Sequence, residues 1–291
     1  MIDFDCIPDV RQNLAEGPVW SPAEGALYWV DIRKPAVHRY KPSGRIVTTW
    51  AMPDLVGSLA IREKGGVLVA LKGRLAVLDP SSGQIEPLVS IDLERPDNRC
   101  NDGKCDRRGR FWVGTMDNLK RGGGTGSLYC FNAGHELSKA VEGIEIPNSL
   151  AWSPDDKTMY FADTFRRQIY AYDFDLDRGR LGDRRTFAEF DVNGGAPDGS
   201  TVDADGFLWT AVYRGGALHR YAPDGRLDRV VKLPMSQPTS CAFGGAGLDV
   251  LYVTSASQNL TADELRREPY AGAVITIDVG ARGLEEPRFV G

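Results

Sequence analysis

Residues 152–160, Trp-Ser-Pro-Asp-Asp-Lys-Thr-Met-Tyr, combine the end of one apolar strand, a turn rich in Pro and Asp, and the start of a second strand. The same pattern occurs at 20–29 (Trp-Ser-Pro-Ala-Glu-Gly-Ala-Leu-Tyr-Trp), 105–112 (Cys-Asp-Arg-Arg-Gly-Arg-Phe-Trp) and 202–209 (Val-Asp-Ala-Asp-Gly-Phe-Leu-Trp). Weaker copies stand at 61–68 and 243–252. This recurrence of one hairpin along the chain indicates an internal repeat.

A third strand and a second turn follow each hairpin, as in 37–45 (Val-His-Arg-Tyr-Lys-Pro-Ser-Gly-Arg) and 218–226 (Leu-His-Arg-Tyr-Ala-Pro-Asp-Gly-Arg). An apolar fourth strand, such as 46–50 or 230–233, comes after most of them. Four strands repeated about every 40 to 50 residues predict an all-β fold, a six-bladed β-propeller of four-stranded blades around a central channel. No linker interrupts the repeats, so we expect a single domain spanning residues 1–291.

Two segments lie outside the repeats. Residues 3–10 precede the first unit, and we expect them to pair with the last blade and close the ring, although the sequence does not settle which terminus supplies that strand. Within a long insertion, Thr261 and Glu264 have the spacing of a capping box, which predicts a short helix there.

Composition restricts the possible partners. The net charge is −5 with no Lys/Arg run, which argues against nucleic-acid binding and favours a small-molecule ligand. No stretch of 18 apolar residues is present, so we expect no membrane association. The first residues show no basic or apolar leader and the five cysteines are irregularly spaced, which predicts a cytoplasmic protein. For the oligomeric state, we expect a monomer or a weak homo-oligomer.

The repeat register predicts which residues line one end of the channel. The position four residues before each repeated hairpin opens the innermost strand of its blade. These positions are Glu16, Gly57, Asn101, Asn148, Asp198 and Thr239. Two carboxylates converging in a narrow channel repel each other and are costly to desolvate unless a cation or a shared proton compensates them.

Glu16, Asp198 and one of the two asparagines, Asn101 or Asn148, are therefore candidate ligands of a metal ion. The alternative is that Asn148 and Asp198, which both follow a proline, are only turn formers, but Glu16 is not a turn-forming residue. Oxygen ligands of this kind suit a hard divalent cation, and Ca²⁺, Zn²⁺, Mn²⁺, Mg²⁺ and Fe²⁺ all remain open.

Loops between the second and third strands of the blades should surround the mouth of the same channel end, at 31–36, 117–126, 163–167, 213–216 and 255–272. Their side chains make a polar and mostly cationic rim that includes Lys34, Asn118, Lys120, Arg121, Arg166, Arg214 and Gln258. Arg99 lies two residues before Asn101 on one strand, so it should share that face and point toward the channel.

Other catalytic patterns are absent from the sequence. The chain contains neither a Gly-x-Ser-x-Gly elbow nor a His-Glu-x-x-His motif. Two of the three histidines, His38 and His219, occupy equivalent third-strand positions, so we interpret them as structural.

Several spaced motifs identify a resemblance that spans nearly the whole chain. They are Ala-Glu-Gly-Pro-Val-Trp at 15–20, Arg-Cys-Asn-Asp-Gly-Lys at 99–104, Gly-Thr-Met at 114–116, Pro-Asn-Ser-Leu-Ala-Trp-Ser-Pro at 147–154 and Pro-Asp-Gly at 197–199. With these motifs the chain resembles the SMP-30/gluconolactonase family of regucalcin-like lactonases. The resemblance implies a six-bladed propeller with one divalent cation on the axis.

The resemblance also implies residue roles. Glu16, Asn148 and Asp198 would hold the cation, Arg99 and Asn101 would contact the substrate, and Asp198 would be the general base. Some relatives place an acidic substrate-binding residue after Gly-Thr-Met. No residue here matches it securely, and the nearest are Asp117 and Asn118.

The function predicted from these observations is metal-dependent hydrolysis of a sugar lactone to the open sugar acid in carbohydrate oxidation. The implied substrates are aldonolactones such as glucono-, xylono-, arabinono- or galactonolactone, and the cationic rim leaves room for an anionic derivative. The metal would polarise the lactone carbonyl and activate water, while Asp198 would accept the proton. The alternatives are an esterase or organophosphate hydrolase with the same centre, and a non-catalytic metal-binding propeller.

Overall fold

Six four-stranded antiparallel sheets form the computed structural model, which describes residues 3–8 and 10–291. The first strand of each blade packs against the first strand of the next, and that of blade six packs against that of blade one. The six first strands therefore surround the axis as a closed ring. The six-bladed propeller predicted from the repeats is confirmed.

The described chain begins with β1 (Phe4–Cys6). Blade one contains β2 (Ala15–Ser21), β3 (Ala26–Asp31), β4 (Ala36–Lys41) and β5 (Ile46–Ala51). Blade two contains β6 (Val56–Ile61), β7 (Val67–Leu71), β8 (Arg74–Leu78) and β9 (Ile85–Ser90). Blade three contains β10 (Asn98–Cys105), β11 (Phe111–Asp117), β12 (Gly126–Phe131) and β13 (Leu137–Ile144).

Blade four contains β14 (Pro147–Trp152), β15 (Thr158–Asp163), β16 (Gln168–Asp175) and β17 (Arg180–Glu189). Blade five contains β18 (Ala196–Val202), β19 (Leu208–Tyr213), β20 (Ala217–Tyr221) and β21 (Leu227–Lys232). Blade six contains β22 (Pro238–Gly244), β23 (Val250–Ser255), β24 (Ile275–Ile277) and β1. Short 3₁₀ turns occupy Pro42–Gly44 and Thr164–Arg166.

The ring is closed by the N-terminal strand. β1 pairs antiparallel with β24, with Phe4 opposite Ile277 and Cys6 opposite Ile275, so it is the outermost strand of blade six. The predicted pairing of segment 3–10 with the last blade is confirmed, except that Asp9 lies outside the described residues. Strands from both ends of the chain thus hydrogen-bond in one sheet, as propeller closure requires.

The predicted helix is present as α1 (Ala262–Arg267). The hydroxyl of Thr261 accepts a hydrogen bond from the Glu264 backbone N–H, and the Glu264 carboxylate accepts one from the Thr261 N–H, which completes the capping box. Among the described residues, no helix has the length and apolar character needed to cross a membrane.

Apolar residues fill the interfaces between neighbouring blades. Each of the six buried clusters combines side chains from two adjacent blades, for example Val37 of blade one with Val69 of blade two. The largest buried side chains include Trp112 and Trp209 at equivalent second-strand positions, and Trp29, which lies on the opposite face of its strand. Burial of these clusters fixes the blades relative to one another, so the ring is a rigid support for side chains on its innermost strands.

Every innermost strand contains a β-bulge of one extra residue. The residues predicted to ring the channel end lie in or beside these bulges: Glu16, Gly57, Asn101, Asn148, Asp198 and Thr239. A bulge leaves the extra residue out of the ladder and re-aims its side chain. The bulges therefore direct polar side chains at one end of the channel while the rest of each strand stays paired.

The C-terminal segment crosses the other end of the innermost strands. Gly283 bridges to Asp203, just beyond β18, and Phe289 bridges to Arg62, just beyond β6. The Lys104 ammonium group, on a largely buried side chain, donates hydrogen bonds to Glu286 and to the Ser200 carbonyl, each at 3.0 Å. This segment covers the end of the channel opposite the ring of polar side chains.

The tight approach of the innermost strands generates a stability prediction. A Cβ atom at Gly57 would collide with the Cys100 carbonyl group and lie 2.7 Å from the Asn101 carbonyl oxygen. Both obstacles are backbone, so Gly57→Ala should lower the free energy of unfolding by about 1–3 kcal/mol. Denaturant titration of Gly57→Ala beside Gly123→Ala checks this, because a Cβ at Gly123 meets ordinary packing only. Equal free energies of unfolding for the two variants would contradict the close approach of the innermost strands at Gly57.

Candidate active site

Four of the six ring residues line one open cavity of about 220 Å³: Glu16, Asn101, Asn148 and Asp198. Gly57 has no side chain to contribute. The Thr239 hydroxyl donates to the Ala15 carbonyl at 2.5 Å and shares a hydrogen bond with Thr254, so it bonds within the blades instead.

The two carboxylates of the cavity are buried and in contact. Glu16 and Asp198 are each 6% exposed, and their carboxyl groups lie within hydrogen-bonding reach of each other. Within the described chain, neither forms an ion pair with a lysine, arginine or histidine. Burial, then Asp198 and Asp102, hold the pKa of Glu16 well above its usual value, and burial, then Asp102, do the same for the pKa of Asp198.

Asn148 is held in one orientation by its neighbours. Its side-chain N–H donates to the Thr164 hydroxyl at 2.8 Å, and that hydroxyl donates to the Pro197 carbonyl at 2.7 Å. Its side-chain oxygen accepts a hydrogen bond from the Asn101 side chain at 3.0 Å. Because an amide oxygen has two lone pairs, the Asn148 oxygen keeps one for a further ligand.

Arg99 lies beside Asn101 on the cavity wall and is 4% exposed. Its Nη1 donates to the Asn101 side-chain oxygen at 2.6 Å and to the Cys100 carbonyl at 2.9 Å. Its buried Nε has no partner among the described residues. Burial, then Arg33 and Arg121, lower the pKa of Arg99 to about 9, and at neutral pH it remains a cation with a free donor.

These donors fit a hard divalent cation. Two buried carboxylates in contact, with no basic partner, lack the compensation that desolvated charges require. The oriented Asn148 oxygen supplies a third ligand beside them, and oxygen donors are what such cations prefer. A cation there would neutralise Glu16 and Asp198 together.

The five predicted loops all contribute to the cavity mouth, through Arg33, Arg121, Thr164, Tyr213, Gln258 and Asn259. Of the predicted rim cations, only Arg121 is among the lining residues. Lys34, Lys120, Arg166 and Arg214 are not, and Arg166 pairs with Asp163 at 3.2 Å instead.

Asp117 and Asn118, the proposed substrate contacts after Gly-Thr-Met, do not line the cavity. The Asp117 carboxylate accepts hydrogen bonds from the backbone N–H groups of Leu119 and Lys120, which lowers its pKa. Asp31 likewise ends its strand, and its carboxylate accepts hydrogen bonds from the backbone N–H groups of Arg33 and Lys34 in the loop that follows. The side-chain oxygen of Asn118 accepts from Arg33 at 3.0 Å, so in this structure Asp117 shapes the loop and Asn118 supports Arg33.

Comparison with known proteins is consistent with this architecture. The family model of the SMP-30/gluconolactonase/LRE-like region matches residues 14–257. The chain belongs to this family.

Relatives in the family match the chain over almost its full length. Regucalcin from Xenopus laevis is 35% identical over 296 residues, covering 100% of this chain and 99% of the relative. A 6-deoxy-6-sulfogluconolactonase from Pseudomonas putida is 37% identical over 287 residues, covering 98% of each. The structure of a calcium-binding protein, regucalcin from Agrobacterium tumefaciens, superposes with a TM-score of 0.95 at 30% identity, covering 99% of this chain and 97% of that one.

The sequence reasoning missed several cavity residues, among them the polar side chains of Arg33, Thr164 and Tyr213. All three lie in or at loops that the repeat register had assigned to the cavity mouth. Arg33 and Lys34 are adjacent, and the sequence holds no signal for which of them faces inward. Thr164 had a usable signal, because it follows the end of β15 directly and Asn148 lies on the neighbouring strand.

Thr164 offers a test of the Asn148 geometry. Thr164→Val keeps the side-chain shape but removes the hydroxyl that fixes the Asn148 amide, so we expect divalent-cation affinity to fall about 10- to 100-fold. Isothermal titration calorimetry with Ca²⁺ and Mn²⁺ measures this. Thr186→Val is the matched control, because Thr186 is exposed on the outermost strand of the same blade. Equal affinities for both variants would show that Thr164 does not orient a ligand.

Proposed function

We propose that this protein hydrolyses a sugar lactone to the open sugar acid, using a divalent cation held by Glu16, Asn148 and Asp198. The supporting observation is the contact between the buried carboxyl groups of Glu16 and Asp198 on the wall of an open cavity. The Pseudomonas putida relative is named as a sulfogluconolactonase, which supports a lactone as substrate.

The cation would act as a Lewis acid toward the lactone carbonyl. Ca²⁺ has support from the Agrobacterium tumefaciens relative, which is a calcium-binding protein. The donor set of two carboxylates and one amide suits Zn²⁺, Mn²⁺, Mg²⁺ and Fe²⁺ as well.

Asp198 is the proposed general base. A base must lie within hydrogen-bonding reach of the water that attacks the carbonyl, and Asp198 is on the cavity wall beside Glu16. Asp198 would take the proton as water attacks and return it to the ring oxygen as that oxygen leaves.

Arg99 and Asn101 are the proposed substrate-binding residues. The Arg99 side chain lines the cavity, and its guanidinium group is suited to donate to a sugar hydroxyl. Asn101 is fixed by Arg99 on one side and by the Pro147 carbonyl and Asn148 on the other. Groups held in this way position a substrate at little entropic cost.

A non-catalytic cation-binding role is the second candidate, since the Agrobacterium tumefaciens relative is described by its calcium binding. The two functions differ in what cation removal does. As an enzyme, the protein should release acid from a panel of aldonolactones, lose that activity on chelation, and regain it when a divalent cation is restored. A pH-stat assay measures this directly. Cation binding without hydrolysis of any lactone would favour the binding role.

The two carboxylates allow base and ligand roles to be separated. Asp198→Asn keeps an oxygen donor but cannot accept a proton, so at saturating cation its kcat should stay about 10²- to 10⁴-fold below wild type. Glu16→Gln removes the same charge from the same site, and saturating cation should restore most of its activity. Steady-state kinetics at increasing cation concentration compares the two. If saturating cation restored the kcat of both variants equally, Asp198 would be only a ligand of the cation and not the general base.

A further inference from the structure

Three guanidinium groups line the cavity, those of Arg33, Arg99 and Arg121. The acceptors of Arg33 are neutral, namely Asn118 at 3.0 Å and Gln258 at 3.4 Å. Arg121 donates to the backbone carbonyls of Asp117 at 2.6 Å and Lys120 at 2.8 Å. Over the described residues, none of the three arginines has a carboxylate oxygen within ion-pair distance.

Several arginines elsewhere in the fold form ion pairs with carboxylates. Arg220 pairs with Asp203 at 2.8 Å and with Asp228 at 2.9 Å. Arg110 pairs with Asp106, and Arg166, on the same rim, pairs with Asp163. Arg62, Arg167 and Arg229 also donate only to backbone carbonyls, but the cavity brings three arginines without a carboxylate partner together around one space.

The charges of the cavity do not balance. Glu16 and Asp198 would be neutralised by one divalent cation, which leaves three guanidinium groups around the space for substrate. Asp102, a further buried carboxylate, accepts the Leu150 N–H and lies close to Lys104, which offsets it, and Asp117 and Glu145 act on Arg121 without lying within ion-pair distance of it. Burial lowers the pKa of both Arg99 and Arg121, and the nearby charge of Arg33 lowers both further.

We propose that Arg33 and Arg121 bind an anionic group carried by the lactone, such as a sulfonate, phosphate or carboxylate, at the end away from the reacting carbonyl. The inference rests on the proposed lactone hydrolysis and names its substrate class. Arg33 and Arg121 belong to mouth loops of blades one and three, whereas Arg99 lies beside Asn101 on the innermost strand. The planar guanidinium donates two parallel hydrogen bonds to such oxyanions.

The neutral acceptors of Arg33 support this assignment. Asn118 and Gln258 hold its guanidinium from the loops of blades three and six without cancelling its charge. A guanidinium fixed in this way loses little further conformational freedom when it binds an oxyanion. Asn118 and Gln258 are thus positioning residues for Arg33.

The test compares kcat/KM for gluconolactone and for matched lactones with a sulfonate, a phosphate or a carboxylate at the far carbon. Wild type should prefer at least one anionic lactone by about 10- to 100-fold, the range of charge-assisted hydrogen bonds. Arg33→Gln and Arg121→Gln should each reduce this preference about 10-fold, mainly through KM, and the double variant should nearly abolish it. Comparison of kcat/KM among the three anionic lactones identifies which anionic group the protein recognises.

Lys34→Gln is the matched control, because it removes one positive charge from the same loop but outside the cavity lining, and it should keep the wild-type preference. If a glutamine variant fails to fold, the lysine variant of that arginine replaces it, with an intermediate preference expected. Equal or better hydrolysis of gluconolactone by wild type overturns this inference and leaves lactone hydrolysis intact. Equal loss of preference in Lys34→Gln also overturns it. Failure to hydrolyse any lactone overturns the proposed function, and this inference with it.

Discussion

Glu16 and Asp198 approach each other from blades one and five, buried and without a basic partner in the described chain. Two unit charges about 4 Å apart repel by about 4 kcal/mol at an effective dielectric constant of 20. A folded domain is stable by only about 5–15 kcal/mol, so this repulsion is a large fraction of the total. The closed ring and its packed interfaces keep the carboxylates from moving apart. Compensation therefore has to come from a bound cation or a proton.

The same ring explains why so much of the site could be predicted from the sequence. In a propeller, equivalent positions of the repeat meet at the axis, so alignment of the hairpins placed Glu16, Asn101, Asn148 and Asp198 together without knowledge of a single contact. The two-residue period of a strand likewise placed Arg99 on the same face as Asn101, toward the channel. What the register could not show is the β-bulge in each innermost strand, since one extra residue leaves no distinct mark in the sequence.

Loop side chains were predicted less well, for a physical reason. A strand has a fixed period that assigns each side chain to a face, whereas a loop side chain is directed by tertiary contacts. Arg33 turns inward because Asn118 and Gln258, remote in sequence, accept its N–H groups. Asp117 turns away because the nearest donors are the N–H groups of its own loop. The sequence placed the loops at the cavity mouth and left the direction of their charges undetermined.

The central claim is that one divalent cation compensates the paired carboxylates. Anomalous diffraction from crystals soaked in Mn²⁺ tests it most directly, because the scattering identifies the ion and its position together. We expect one strong peak in the cavity, within about 2.0–2.6 Å of side-chain oxygens of Glu16, Asn148 and Asp198, the range of metal–oxygen bonds. A peak bound elsewhere, or none in the cavity at saturating Mn²⁺, would contradict the account.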